Sequence, residues 1–209
     1  MFRLPRILLV AAVAFAVAAP SAGAVPQKRV GSTLGALWEF VLETPSPENP
    51  FGGGDPCVDL DGTVAPFAPL GTSSLSCTVK PGTKIFITAE SSECSTVEPP
   101  PFFGGNETQL WECARLADAG FADPTATVDG KPVPVREVET GLIRLDLPAD
   151  NILGVPAQQA LSVAHGWVAP LHPLPPGSHE IVIHVVGTDV FGNAVDLTNI
   201  TEINVAPGR

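Results

Sequence analysis

Four cysteines, at positions 57, 77, 94 and 113, constrain this chain more than any other feature, because each use of them dictates a different fold. As zinc ligands they would need C-x2-C spacing or a nearby histidine pair, and neither is present. As disulfides they need an oxidising compartment. The N-terminus carries the signal for one. Arg3 and Arg6 form a positive region, residues 7–19 are an uncharged and mostly aliphatic run, and Pro20 breaks it. Ala22-Gly23-Ala24 then offers the small-x-small pattern that signal peptidase admits. The apolar run falls short of the roughly 20 residues that span a bilayer. No cysteine lies near the cleavage point to be acylated, so no stable membrane anchor is expected. Residues 1–24 therefore read as a signal peptide cleaved near Ala24. Residues 25–209 read as a single disulfide-stabilised domain that is secreted or periplasmic. Four cysteines allow three connectivities. The expected pairing is Cys57–Cys77 with Cys94–Cys113, because each bond closes a local loop of about 20 residues and contributes roughly 3 kcal/mol.

Charge narrows the partners. The chain has 11 Lys and Arg against 22 Asp and Glu, a formal net charge of -11. Nucleic acid is excluded, since phosphates require clustered cations, and an anionic membrane surface is disfavoured for the same reason. With 23 prolines and 20 glycines the chain is cut into short pieces, which favours strands over helices. Two helices nevertheless stand out. Leu34, Leu37, Trp38, Val41 and Leu42 lie on one helical face, with Ser32 or Thr33 as the expected cap and Pro45 and Pro47 as the stop. Asn106 begins the second, Gln109 sits three residues on in a capping box, and Gly120 ends it. Elsewhere apolar residues alternate. Strands are expected over residues 74–79, 84–88, 125–128, 131–135, 143–147, 161–167, 179–186 and 195–205, with Asp129-Gly130 as a hairpin turn. The expected fold is mainly β: an antiparallel immunoglobulin-like β-sandwich with one or two short added helices.

Two resemblances support that expectation. Pro176-Gly177-Ser178-His179 opening a strand, followed by Thr188-Asp189-Val190-Phe191-Gly192-Asn193, resembles the last hairpin of bacterial immunoglobulin-like domains. The wider layout resembles a group of exported bacterial proteins of unassigned activity. It rests on Trp38 with Phe40, Asn49-Pro50, the run Cys77-Thr78-Val79-Lys80-Pro81-Gly82, Glu93-Cys94-Ser95, and Leu147 through Asn151-Ile152. The chain departs from that group over residues 64–70, which are less aromatic. The resemblance implies a fold and transfers no catalytic residue.

Candidate sites are few. Asp59, Asp61 and Gly62, with Asp55 nearby, open a calcium loop, but the twelfth position is Leu70 where a glutamate is needed. An acidic turn is expected there instead, and no cofactor or metal. His179 and His184 are five apart, so a strand points them to opposite faces. His165 lies among apolar neighbours as a packed, hydrogen-bonded residue, and its spacing from Ser162 is accidental. Glu90, Glu93 and Glu98 are near enough in sequence to supply the paired carboxylates of a glycan hydrolase, but on so acidic a chain they are expected to be solvated surface groups. Phe102-Phe103, between three prolines and two glycines, is the candidate ligand contact. The expected function is a secreted, non-catalytic binding module for an extracellular glycan, wall polymer or protein. The alternative is a secreted carboxylate-dependent, glycan-active hydrolase.

Overall fold

A computed structural model describes residues 27–69 and 71–208. The predicted signal peptide and its cleavage point lie outside them. Helix α1 (Gln27–Glu43) buries Val30, Leu34, Leu37, Trp38, Val41 and Leu42. Ser32 and Thr33 lie inside it and do not cap it, because the buried stripe runs back to Val30. Gly31 permits this: a β-carbon there would meet the Glu139 carbonyl at 2.4 Å. Beyond the helix, buried Asn49 donates to the Val41 and Thr44 carbonyls while its Oδ1 accepts from the Phe51 N–H. One side chain thus satisfies carbonyls that the last helical turn leaves open.

Two sheets follow. The first contains β1 (Cys57–Asp59), β2 (Thr63–Pro66), β4 (Lys84–Ser95), β7 (Arg136–Glu139), β8 (Ile143–Leu147) and β9 (Gln158–Leu171), in the order β1-β2-β4-β9-β7, with β8 also paired to β9. The second contains β3 (Ser74–Val79), β5 (Thr125–Val128), β6 (Lys131–Val133), β10 (Gly177–Thr188) and β11 (Ala194–Val205), in the order β3-β11-β10-β5-β6. The expectation of an all-antiparallel sandwich is corrected here. β2 runs parallel to β4, and β3 runs parallel to β11. Alternation of side chains reports which face a residue takes, not which way its neighbour runs, so this was outside its reach. The protein is mainly β, with two mixed sheets and two helices. The β10–β11 hairpin is continuous over its full length, from Gly177 opposite Val205 to Thr188 opposite Ala194. Asp129 (φ 50°) and Gly130 (φ 73°) form the β5–β6 turn, as their positive φ preference requires.

The first sheet is the middle layer. One face packs on α1 through Phe86, Leu145, Ala160, Ala164 and Val168. The other meets the second sheet through Ile85, Ile87 and Ala169 against Ala126, Ile181 and Ile203. Helix α2 (Glu107–Asp118) covers the rest of that second face, where Leu110 and Ala114 pack on Cys94 and Val163. Asn106 caps α2 by accepting from the Gln109 N–H, while Gln109 Oε1 reaches back to the Gly105 N–H. The disulfides are Cys57–Cys77 and Cys94–Cys113, and no cysteine is free among the described residues. Each crosses a layer boundary, β1 to β3 and β4 to α2. Such bonds belong to an oxidising environment. Among the described residues no helix is long and apolar enough to cross a membrane.

Candidate functional site

The site is built on β4, where the strand changes face. Ile85 stands opposite Leu171 and Ile87 opposite Ala169, but after Thr88 the register slips and Glu90 stands opposite Trp167. The extra residue is a β-bulge. Before it, odd-numbered residues face the second sheet. After it, Glu90, Ser92 and Cys94 do, and Ser91 and Glu93 turn toward α1. The Trp38 indole N–H accordingly donates to Ser91 Oγ at 2.9 Å.

Around this bulge opens a cleft of about 420 Å³. Residues 88–93 form its floor. Trp38, Phe51 and Phe67, packed edge-on or tilted with centroids 5.2–6.1 Å apart, stand on the α1 side. Ile152 and Leu153 join them from a loop that Asn151 ties to the Pro148 and Val155 carbonyls. Phe102, Phe121, Val185 and Phe191 stand on the opposite side. Phe191 projects from the β10–β11 turn, where the Asp189 carboxylate accepts from the Phe191 and Asn193 N–H groups, and it meets Phe102 edge-on at 6.0 Å.

Glu90, Glu93 and Glu98 come together in this cleft. Burial, reinforced by the charge of Asp118, pushes the Glu90 carboxyl up to about 8, so it is protonated at neutral pH and can donate. Glu93 and Glu98 lie close enough to act on each other's charge. Burial and then the Glu98 charge hold Glu93 well above the usual carboxylate range. Burial raises Glu98 as well, against hydrogen bonds from Glu93 and Ser95. Ser162 Oγ donates to Glu93, and Ser95 Oγ donates to Glu98 at 2.9 Å. Each of the two raised carboxyls thus accepts a hydroxyl from its own serine. Thr88 is 8% exposed and its hydroxyl has no hydrogen-bond partner. A buried hydroxyl normally finds one. Among the described residues no Lys, Arg or His lines the cleft, whereas four acidic residues do: Glu90, Glu93, Glu98 and Asp189.

The other predicted residues fall elsewhere. Phe102 packs on the α2 cluster and borders the cleft, whereas Phe103 is 47% exposed and points away from it. His165 is buried: Nδ1 lies 2.8 Å from Asp118 and Nε2 3.0 Å from Glu137, tying α2 to β7 across β9. Burial lowers its pKa, but the hydrogen bonds and charges of Asp118 and Glu137 outweigh that and leave it raised. Ser162 faces α1 and His165 the opposite side, so they form no pair. His179 bonds Asp129 and His184 bonds Asp196, on opposite faces of β10. His172 is not among the residues that border the cleft. Asp55 and Asp59 accept from the Cys57 and Gly62 N–H groups, making turns of their own loops. Asp61 sits beside them at φ 52°. Among the described residues, no three His, Cys, Asp or Glu are grouped to hold a metal. Sequence reasoning raised the three glutamates only as the hydrolase alternative, with surface solvation as the default, and named Phe102 only as half of a pair with Phe103. It missed Thr88 and the aromatic wall from α1, since only the bulge and the helix's seat bring them to one place.

No family model matches the chain, and no curated protein sequence does either. Among solved structures, the solution structure of amebosin is similar over 64% of this chain and 97% of its own, with 13% identity and a TM-score of 0.22. That likeness is too loose to carry topology or activity across.

Proposed function

We propose that this is an exported, non-catalytic binding protein that takes an extracellular ligand into the cleft around the β4 bulge. The observation that carries this reading is the unpartnered Thr88 hydroxyl in a cleft with aromatic walls and a carboxyl-rich floor. A buried polar group without a partner costs about 1–3 kcal/mol, which a ligand hydrogen bond would recover. The reading keeps the expected export, with cleavage near Ala24. It also keeps the immunoglobulin-like kinship of the second sheet, carried by the long β10–β11 hairpin, and the relation to exported bacterial proteins of unassigned activity. It moves the ligand contact from the Phe102-Phe103 pair to Phe102 alone.

The hydrolase alternative rests on Glu93 and Glu98. Glycoside hydrolysis needs carboxyls about 5 Å apart or more, with room for water or sugar between them. Each carboxyl is instead engaged by a serine, Glu93 by Ser162 and Glu98 by Ser95, which suits a fixed binding floor better than a free acid and base. Retention of the mature protein on cell-envelope material tests the reading. Phe102→Ala should weaken retention severalfold, whereas Phe103→Ala should leave both retention and melting temperature nearly unchanged. Turnover of wall polysaccharide by the pure protein, or retention that depends on Phe103 alone, would overturn it.

A further inference from the structure

The floor of the cleft is the edge of a strand. Side chains from both faces of β4, Glu90 and Ser92 on one and Ser91 and Glu93 on the other, border the same space. That arrangement arises where a strand opens to a cleft edge-on. β2 pairs with β4 only at Lys84 and Ile85. At the far end, the Ser95 N–H donates to the Phe102 carbonyl, and the Ser95 carbonyl accepts from the Gly104 N–H. Between these two points, among the described residues, no strand pairs with this edge. Backbone groups alternate sides along a strand, so Glu93 and Ser91 present their N–H and C=O to the same edge as Ser95. Proteins ordinarily blunt such edges, because a row of open donors and acceptors is a template for another strand. Here the edge is recessed between aromatic walls. At about 3.3 Å per residue, the six floor residues span about 20 Å, the length of an ordinary strand.

Building on the cleft-binding reading above, we propose that the ligand is an extended, basic peptide segment. It joins the first sheet as an added strand along the free edge of β4 and places a lysine or arginine side chain on the Glu93–Glu98 pair. Charge selects the partner: among the described residues no basic side chain lines the cleft, Asp189 keeps its carboxylate ionised, and a lysine or arginine set on the Glu93–Glu98 pair would draw those raised carboxyls to their charged form. Cross-strand geometry then sets its position, since a residue opposite Glu93 projects its side chain on the same face as Glu93. Alternate side chains would meet Phe102 and Phe191 on the other face. A second copy of this chain fits poorly, because pairing two β4 edges would bring both sets of glutamates together. A glycan fits the edge poorly too. On the α1 side the Trp38 and Phe67 rings are each only 8% exposed and the indole N–H already serves Ser91, so neither of these rings offers an open face for a sugar to stack on.

The test uses the mature protein and capped Val-Lys alternating peptides of about eight residues. Isothermal titration at low salt should show binding of the Val-Lys peptide. A Val-Glu peptide should bind at least about tenfold more weakly. A Val-Lys peptide N-methylated at alternate residues keeps its charge, loses its edge hydrogen bonds, and should weaken to a similar degree. Amide exchange at Ser91 and Glu93 should slow in the complex. Glu98→Gln, at a partly exposed position, should weaken the Val-Lys peptide and leave the melting temperature within a few degrees. Equal binding by the methylated peptide, unchanged exchange at Ser91 and Glu93, or dimerisation through this edge would overturn strand addition. If wall polysaccharide binds in the cleft and the peptide does not, this inference fails and the broader binding reading survives. If neither binds below about 1 mM, both fail.

Discussion

Glu90 shows how one residue's setting becomes a property of the protein. Its carboxyl sits beside Trp167 and Asp118 and titrates at about 8 in the folded state, against 4.5 when exposed. The folded protein therefore keeps a proton that the unfolded chain releases. Between about pH 4.5 and 8, unfolding sheds that proton, so stability falls as pH rises through this window and is level above it. At 1.36 kcal/mol per unit the loss reaches at most about 5 kcal/mol. Glu93 and Glu98 are raised as well and add to the same slope. Glu90→Gln should raise the melting temperature at pH 8 and leave it almost unchanged at pH 4. A variant that is equally stable to wild type at both pH values would show that Glu90 is ionised and solvated in the fold. Such a slope means the acidic cluster is kept at a cost to stability, as binding sites often are.

At the scale of elements, the seat of α1 on the first sheet decides whether the cleft has its second wall. That seat depends on Gly31, where the helix backbone comes against β7. A methyl group there would have to displace the Glu139 carbonyl from 2.4 Å. Backbone cannot swing aside as a side chain does, so Gly31→Ala should destabilise the protein by roughly 1–3 kcal/mol, despite alanine's better helix propensity. The comparison is Gly35→Ala on the same helix, whose nearest contacts would be ordinary ones at 3.7–3.8 Å. Denaturant melts that rank Gly31→Ala equal to or above Gly35→Ala in stability would refute this account of the contact. The β4 bulge works at the same scale. It turns Glu93 toward α1 and Glu90 toward the second sheet, which lets a single strand supply acidic groups on both sides of its own edge.

For the whole molecule, both disulfides tie the first sheet to what covers its second face, and they should not be equivalent. Cys57–Cys77 ties one sheet to the other, which already share a core of their own. Cys94–Cys113 holds α2, a helix of 12 residues, over β4 and β9 beside the cleft. A helix of that length is marginal without tertiary support. Replacing Cys94 and Cys113 together with alanine should cost about 3 kcal/mol. The loss should appear first as faster amide exchange in α2, and as weaker ligand retention because Phe102 rests on that cluster. Uniform acceleration across both sheets would mean instead that the bond supports the fold as a unit.

Much of this was legible in the residues themselves. An N-terminus that reads as an export signal and an even cysteine count pointed to disulfides, and short loops to the pairing that the structure has. The Asn106 cap, the Asp129-Gly130 turn and the alternation in β8, β10 and β11 are local, so physics within a few residues settles them. Other features are not local. Parallel pairing of β3 with β11 joins segments more than a hundred residues apart, and alternation is blind to direction. Ile87 and Cys94 face the same side of β4 at an odd separation, which requires a bulge, but only once Cys94 is known to meet α2. Glu90, Glu93 and Glu98 read as surface acids on an acidic chain, because neither their burial nor their convergence is written in their spacing. Phe102 and Phe103 look alike in sequence and part company only when the loop closes over α2. The sequence by itself determined most of the strands, the cap of α2 and the crosslinks, but not the short β1, β2 and β7 nor the start of α1. Tertiary structure alone decided the cleft, because a site made where a helix, a bulged strand edge and a hairpin turn converge exists only after long-range packing has brought them together.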